Sequence, residues 1–290
     1  MTTVGVIGLG DIGRGVADSV VRAGLDLGVC DLRAEVTDLF AASSHVTATP
    51  ALLGARSDVV VVAVVDDRQV LAVLDGADGA LAGMAAGSAV VILSTVSTGT
   101  IESAALSASS RRVDVVDCGV SGGPVAAAEG TLVAMVGGDA SVIERVRPVL
   151  DCFTSLVVHM GPLGAGLKAK LARNLVQYGS WLAAYEAQVL AEAAGIELSK
   201  LAEVIRASDK LIGGSSRLMF RETVAPMAAD THPGIVSAMA GGAALAHKDL
   251  QAALALGRSL HVELPLAAMT DARCDAVFGI EGRAATGEDR

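Results

Sequence analysis

Residues 4–13 read Val-Gly-Val-Ile-Gly-Leu-Gly-Asp-Ile-Gly, a short apolar run followed by three glycines. The apolar run predicts a buried strand, and the amphipathic stretch that continues to Ala23 predicts a helix directly after the turn. In such a unit the first glycine permits a tight turn, the second lets a pyrophosphate approach the backbone, and the third lets helix and strand pack closely. The stretch therefore predicts a dinucleotide site, and the residues assigned to it are Gly8, Leu9, Gly10, Asp11, Ile12 and Gly13.

Asp31 lies at the end of the second predicted strand, 18 residues after Gly13. A carboxylate there accepts hydrogen bonds from the adenosine ribose diol and repels a 2′-phosphate, which favours NAD over NADP. Arg33 leaves NADP open, because an arginine two residues later could reach a 2′-phosphate or stack on adenine. The alternative is a plain glycine turn with an unrelated surface aspartate.

Short apolar runs alternate with amphipathic stretches over the first half of the chain. Val59–Val65 is apolar throughout, as expected of a strand covered on both faces. Further strands are predicted at 27–30, 89–93, 113–116, 131–136 and 156–159. This alternation predicts an α/β fold in which an N-terminal Rossmann-type, doubly wound parallel sheet carries helices on both faces.

After about Gly166 the alternation ends and helix-forming stretches follow. We expect a long helix at about 167–194, ended by Gly195, and further helices near 199–207, 234–257 and 265–278. The predicted organisation is an NAD-binding domain, residues 1–164, followed by an all-helical substrate and dimerisation domain, residues 165–290. The apolar helices 175–194 and 236–257 predict a homodimer or homotetramer, because a small helical domain cannot bury them alone.

Composition argues against several partners. The net charge is −10 and aromatic residues make up 2% of the chain, which opposes binding to nucleic acid or to anionic membranes. The longest apolar run, Val59–Val65, is far shorter than the roughly 20 residues of a membrane span. The four scattered cysteines predict buried thiols in a reducing, cytoplasmic compartment, and the histidines show no metal-ligand spacing, so no metal is expected.

Three further segments carry a family resemblance. Residues 117–130 read Asp-Cys-Gly-Val-Ser-Gly-Gly-Pro-Val-Ala-Ala-Ala-Glu-Gly, residues 161–174 read Gly-Pro-Leu-Gly-Ala-Gly-Leu-Lys-Ala-Lys-Leu-Ala-Arg-Asn, and residues 248–250 read Lys-Asp-Leu. With the glycine turn, they make the chain resemble the β-hydroxyacid dehydrogenase family, a relative of 6-phosphogluconate dehydrogenase. The second segment fits the family's catalytic pattern GxxGxGxxxKxxxN throughout. Gly119 replaces a proline of the family's substrate motif, and Arg173 replaces an asparagine found in many members.

Lys170 and Asn174 lie four residues apart and therefore share one face of the predicted long helix. Oxidation of a hydroxyl needs a base for its proton, and a desolvated lysine can serve because burial lowers its pKa. We assign the proton shuttle to Lys170 and a substrate-orienting role to Asn174. Lys168 lies about 200° round the helix and cannot share that face. An exposed helix lysine remains the alternative for Lys170.

The resemblance implies further contacts. Ser121, Gly122 and Gly123 would hold the substrate carboxylate, Thr95 would lie beside the nicotinamide ribose, and Lys248 would approach the nicotinamide. The alternative for Ser121–Gly123 is a plain glycine turn, and the alternative for Thr95 is a helix cap. For Lys248 the alternative is an ion pair with Asp249. Val64 and Val65 end a predicted strand, and we therefore expect them to contact the cofactor through their backbone.

The resemblance implies an NAD(P)-dependent 3-hydroxyacid dehydrogenase. It would transfer a hydride between NAD and a small, carboxylate-bearing β-hydroxy acid similar to 3-hydroxyisobutyrate. Arg173 could recognise an additional carboxylate or form a salt bridge within the protein. The alternatives are an NAD(P)H-dependent reductase of a small aldehyde or imine and a non-catalytic NAD-binding protein.

Overall fold

The computed structural model describes residues 2–219, 221 and 223–280. The chain divides into two compact units between Asn174 and Leu175. Within the described residues, the first unit forms an eight-stranded sheet. Its strands are β1 (Thr3–Ile7), β2 (Asp26–Cys30), β3 (His45–Val46), β4 (Val59–Val62), β5 (Ala89–Ile92), β6 (Asp114–Ser121), β7 (Leu132–Gly137) and β8 (Thr154–Gly161).

The strand order is β3-β2-β1-β4-β5-β6-β7-β8. The strands from β3 to β6 in this order are parallel, as predicted, but β7 runs antiparallel to β6 and β8 runs parallel to β7. The sheet is therefore mostly parallel, and the sequence analysis did not anticipate the antiparallel pairing of β7 with β6. Only residues 122–131 connect β6 to β7, whereas a parallel crossover needs a dozen or more residues.

Helices cover both faces of the sheet, which confirms the doubly wound α/β fold. The helices of the first unit are α1 (Asp11–Arg22), α2 (Ala34–Thr37), α3 (Pro50–Gly54), α4 (Asp67–Leu74), α5 (Ala80–Gly83), α6 (Thr98–Ser109), α7 (Gly123–Glu129) and α8 (Ala140–Phe153). Residues of α1, α7 and α8 pack on one face, and residues of α3 to α6 pack on the other. In β4, Val59 and Val61 join the first core and Val60 and Val62 the second, all at most 4% exposed.

Two strand ends that bear on the candidate site differ from the sequence prediction. β4 ends at Val62, so Val64 and Val65 lie in the loop that follows it. β6 continues to Ser121 because its second half pairs with β7, with Gly119 opposite Met135 and Ser121 opposite Val133. A partner strand that arrives later in the chain thus lengthens β6 beyond its apolar run.

The remaining helices are α9 (Ala165–Ala193), α10 (Leu198–Ile212), α11 (Pro233–Ser259) and α12 (Pro265–Phe278). The division between the two units falls inside α9, whereas the sequence prediction set the domain boundary at 164/165. Gly195, with φ +72°, follows α9 and donates its N–H to the carbonyl of Glu192. Within the described ranges, no helix combines the length and apolar character needed to cross a membrane.

A buried carboxylate joins two helices of the second unit. Glu186 on α9 is 7% exposed and accepts hydrogen bonds from the backbone N–H groups of Leu266 (2.7 Å) and Ala267 (3.0 Å). These amides belong to the first turn of α12, where intrahelical acceptors are missing. Glu186 therefore caps α12 from a distant part of the chain.

We expect Glu186→Gln to lower the stability of the helical unit by about 1–2 kcal/mol, because the amide offers one acceptor oxygen in place of two. The unfolding midpoint in urea measures the effect. Glu203→Gln, a matched change at an exposed residue of α10, is the control and should shift stability by less than about 0.5 kcal/mol. Equal midpoints for the two variants would contradict the capping role.

Candidate active site

The glycine turn after β1 has the geometry that a pyrophosphate requires. Gly8 has φ +88°, and its N–H donates to the carbonyl of Cys30 at 3.0 Å. A Cβ at Gly13 would lie 1.8 Å from the Gly8 oxygen, whereas a Cβ at Gly10 would meet no atom within 4 Å. Gly10 is also the N-cap of α1 and supplies no side-chain cap. The turn is therefore closed toward the protein and open on its outer side, and its amides fit a phosphate.

Asp31 connects the glycine turn to Arg33. Its Oδ2 accepts the Leu9 N–H at 2.7 Å, and its Oδ1 accepts the Arg33 N–H at 2.9 Å. The Arg33 guanidinium adds Nε to Oδ1 at 3.0 Å and Nη2 to Oδ2 at 3.1 Å. Burial raises the pKa of Asp31, but the hydrogen bonds from Arg33 and Leu9 outweigh it and the pKa lies below its ordinary value. Each carboxylate oxygen thus has two donors, and a ribose diol would compete with Arg33.

The two glycine-rich motifs lie side by side because α1 packs on α7. A Cβ at Gly15 of α1 would lie 2.5 Å from the Ala127 backbone of α7, and the Arg22 Nη2 donates to the carbonyl of Ala128 at 2.9 Å. The turn that leads into α7 contains Gly122 (φ +132°) and Gly123 (φ +72°). The predicted substrate loop is therefore held next to the predicted dinucleotide turn.

The loops after β4 and β5 lie at the same edge of the sheet as the glycine turn. Ser94 Oγ donates to the carbonyl of Val64 at 2.8 Å, and Thr95 is exposed at the same edge. Since the carboxyl ends of β1, β4, β5 and β6 face one edge, the predicted contacts Val64, Val65 and Thr95 share it with the glycine turn. Parallel sheets bind ligands at this edge.

Asp67 is a residue of this edge that sequence reasoning missed. It accepts the Ser97 N–H at 2.8 Å and the hydroxyls of Ser97 and Thr100. These hydrogen bonds lower the pKa of Asp67 to about 2. Asp67 thereby holds the start of α6, and with it the loop that carries Thr95. The only sequence signal was an aspartate shortly after the apolar run Val59–Val65, and its partners lie about 30 residues away.

The first turns of α9 lie directly on β6. Asp117 is 1% exposed and accepts the N–H groups of Gly164 and Leu167, both at 2.6 Å. Two residues further along the strand, a Cβ at Gly119 would lie only 2.4 Å from Lys170 Cβ. Ser121 follows on the same face, about 7 Å along the strand. The stem of Lys170 therefore lies at the end of β6 from which the serine–glycine loop starts.

The protonation of Lys170 reflects this position. Burial lowers the pKa of the Lys170 amine, and the positive charge of Arg173 lowers it further. Lys168 is exposed, while Asn174 is half-buried one helical turn after Lys170. An amine with a lowered pKa beside a loop of glycine amides can exchange a proton with an anionic substrate.

Lys248 belongs to the second unit, and its predicted contact with the nicotinamide stays a prediction. It is exposed and its Nζ lies 3.2 Å from Asp249 Oδ1. The neighbouring His247 joins α11 to α12 through Asp271 (2.7 Å) and Asp275 (3.2 Å), and these hydrogen bonds raise its pKa. No three His, Cys, Asp or Glu side chains of the described residues come together as a metal site would require.

Comparisons with known proteins agree with the fold and the motifs. Residues 3–161 match the NAD binding domain of 6-phosphogluconate dehydrogenase, and residues 164–286 match the NAD-binding domain of NADP-dependent 3-hydroxyisobutyrate dehydrogenase. The L-threonate dehydrogenase of Cupriavidus necator is 39% identical over 70% of this chain and 69% of its own length. The 2-(hydroxymethyl)glutarate dehydrogenase of Eubacterium barkeri is 32% identical over 92% of this chain and 86% of its own.

A crystal structure of a putative oxidoreductase from Mycobacterium avium is 34% identical, with a TM-score of 0.89 over 97% of this chain and 99% of that one. The chain belongs to the β-hydroxyacid dehydrogenase family. It is an NAD(P)-binding oxidoreductase, and its glycine turn has the open outer face that the cofactor's pyrophosphate needs. An imine reductase from Myxococcus stipitatus, 20% identical with a TM-score of 0.77 over 94% of this chain and 92% of its own, shares the fold.

We expect Gly10→Ala to weaken NAD binding at least tenfold while the melting temperature stays unchanged, because its methyl group would meet only the pyrophosphate. Gly13→Ala should instead lower the melting temperature, since its Cβ would overlap the Gly8 carbonyl. Isothermal titration with NAD and thermal unfolding measure the two effects. Equal NAD affinity in wild type and Gly10→Ala would show that the pyrophosphate binds elsewhere.

Proposed function

We propose that the protein is an NAD-dependent dehydrogenase of small 3-hydroxy acids, with Lys170 as the proton shuttle. The observation that carries the proposal is the contact between the Lys170 stem and Gly119, two residues before Ser121 on the same face of β6. The amine and the predicted carboxylate loop thus share the end of one strand. The relatives named for L-threonate and 2-(hydroxymethyl)glutarate support a hydroxy acid as the substrate class.

The substrate carboxylate would bind at Ser121, Gly122 and Gly123. The two glycines have positive φ angles, and a turn in such a conformation can direct successive backbone N–H groups to one side. Such a turn, together with a serine hydroxyl, favours an anion of carboxylate size. The reactive hydroxyl would then point along β6 toward Lys170.

Lys170 would accept the hydroxyl proton during oxidation and return it during reduction. Bound NAD(P) supplies the hydride acceptor or donor. Asn174 lies one helical turn after Lys170 and would hydrogen-bond the substrate oxygen or the amine. The lowered pKa of Lys170 keeps a larger fraction of the amine neutral near physiological pH.

Lys170→Ala should lower kcat for oxidation of a 3-hydroxy acid by at least about a hundredfold and leave NAD affinity within twofold, because the variant loses only the proton acceptor. In the wild type, kcat/KM for oxidation should rise with pH as the ammonium loses its proton, with a midpoint below the ordinary lysine value. Reduced-cofactor absorbance across a panel that includes 3-hydroxyisobutyrate, L-threonate and L-serine measures both.

Lys168→Ala is the matched control and should keep the wild-type rate, since Lys168 is exposed. A Lys170→Ala enzyme with the wild-type rate would reject the proposed shuttle. Turnover of aldehydes or imines with no oxidation of any hydroxy acid would favour a dedicated reductase. NAD binding without turnover of any of these substrates would favour a non-catalytic protein.

We further propose that Arg33 moderates the preference for NAD. Asp31 can accept the ribose hydroxyls only where Arg33 releases it, and a released guanidinium would attract a 2′-phosphate. The competition follows from the two side-chain hydrogen bonds between these residues. The pair therefore suits NAD as the main cofactor with NADP as a weaker one.

Arg33→Ala should increase the NAD over NADP preference in kcat/KM by about tenfold, because Asp31 becomes available to the ribose and the 2′-phosphate loses its cation. Asp31→Ala should move the preference toward NADP. Initial rates with both cofactors at one substrate concentration give the ratios. Unchanged ratios in both variants would mean that another residue recognises the ribose.

We also propose that two copies associate through the helical unit. Among its described residues, the large side chains Trp181 and Tyr185 are 60% and 62% exposed, and α10 buries no residue. The exposed apolar side chains of α9 in this unit are Leu175, Val176, Tyr178, Trp181, Leu182 and Tyr185. A second copy is the occupant that would cover an apolar helix of this length.

Trp181→Glu should yield monomers in sedimentation velocity at micromolar concentration, because the charge would be buried in the contact. Leu106→Glu, at an exposed residue of α6, should keep the wild-type assembly. Trp181 is the one tryptophan of the chain, so its fluorescence should shift to the red as wild-type protein dissociates on dilution. Monomeric wild-type protein would reject the proposal.

The four free cysteines are consistent with a cytoplasmic location, which we propose for the protein.

A further inference from the structure

We infer that Asp117 and Gly119 are positioning residues that hold the start of α9 on β6 and thereby fix where the Lys170 amine lies. The inference rests on the proposed role of Lys170. Neither residue is assigned to substrate or cofactor. Both belong to the same face of one strand, and each contacts a different part of the first two turns of α9.

Asp117 holds the N-terminus of the helix. Its two oxygens accept one N–H each, from Gly164 and from Leu167, at 2.6 Å. The carboxylate is 1% exposed, and within the described part of the chain it takes part in no salt bridge. A buried charge requires compensation, and here the amides at the positive end of a long helix supply it. Displacement of α9 would leave this carboxylate without partners.

Gly119 determines how closely the helix approaches the strand. An added Cβ would lie 2.4 Å from Lys170 Cβ, 3.0 Å from its Cγ and 3.1 Å from the Gly166 oxygen. These atoms belong to the helix backbone and to the rigid base of the lysine, so a rotamer change at the amine cannot relieve the overlap. Gly137 of β7 allows the same approach, since its Cβ would lie 2.7 Å from the Gly166 nitrogen.

The two contacts act on the same quantity, the depth of Lys170 in the protein. Burial is the main cause of the lowered pKa of this amine. If α9 moved outward, the amine would regain water, its pKa would rise toward the ordinary value, and its distance from the Ser121 loop would increase. Asp117 and Gly119 therefore control both the place and the protonation of the proposed shuttle.

Asp117→Asn and Gly119→Ala test the inference. Asparagine keeps the size but directs an NH2 group at a backbone N–H, and alanine adds one methyl group without removing a hydrogen bond. The probe is acetic anhydride, which acetylates only neutral amines, and mass spectrometry follows each of the five lysines across pH. We expect the Lys170 midpoint to rise by about one pH unit in each variant, with Lys200 and Lys210 unchanged as internal references.

Activity provides the second readout. With 3-hydroxyisobutyrate and NAD⁺, both variants should lose at least about tenfold in kcat and shift the acid limb of the pH profile to higher pH, while the NAD dissociation constant stays within twofold. Gly179→Ala adds the same methyl group to α9 where no atom lies within 4 Å. Glu186→Gln removes the same kind of helix cap in the other unit. Neither control should move the Lys170 midpoint.

The outcomes separate the two proposals. An unchanged Lys170 midpoint in Gly119→Ala, which carries the test even if Asp117→Asn fails to fold, would overturn the positioning role. A shifted midpoint in a protein that oxidises no hydroxy acid would support the positioning role and reject the proposed function. If activity falls only in proportion to the amount of folded protein, measured by circular dichroism, Asp117 has a structural capping role and no positioning role.

Discussion

The attachment of α9 to the sheet is the constraint on which the candidate site depends. Asp117, buried in β6, accepts hydrogen bonds from two backbone N–H groups at the start of this helix. Glycines at 119, 137 and 166 let the main chain of α9 approach the main chain of β6 and β7 closely. Side chains at these positions would push the helix outward. The depth and direction of Lys170 therefore result from close packing of the main chain, which is more rigid than packing between side chains.

Three aspartates at the same edge of the sheet bind backbone amides in similar ways. Asp31 accepts the Leu9 amide of the glycine turn, Asp67 accepts the Ser97 amide at the start of α6, and Asp117 accepts the amides of α9. Each thereby holds one of the segments that surround the proposed site. At Asp31 this role is combined with contact to Arg33, so the shape of the glycine turn and the choice of cofactor depend on one carboxylate.

Sequence patterns predicted most of the fold because they are local. The glycine turn, the apolar run of β4 and the long helix each show within a few residues what they form, and the structure confirms the doubly wound sheet that they predict. The antiparallel β7 was missed because strand direction depends on the length of a connection rather than on composition. Asp117 was part of a quoted motif, yet its partners lie 47 and 50 residues away, and no local pattern reveals such contacts.

The sequence by itself determined the α/β class and the dinucleotide turn, because these follow from spacing along the chain, and its motifs carried the resemblance to the family and to its NAD(P) cofactor. Only the tertiary structure decided that Arg33 occupies the carboxylate of Asp31, that Lys170 lies against Gly119, and that α1 and α7 bring two glycine-rich loops together. The reason is physical. Hydrogen-bond partners and steric approach are set by elements far apart in sequence, and they exist only once the chain has packed.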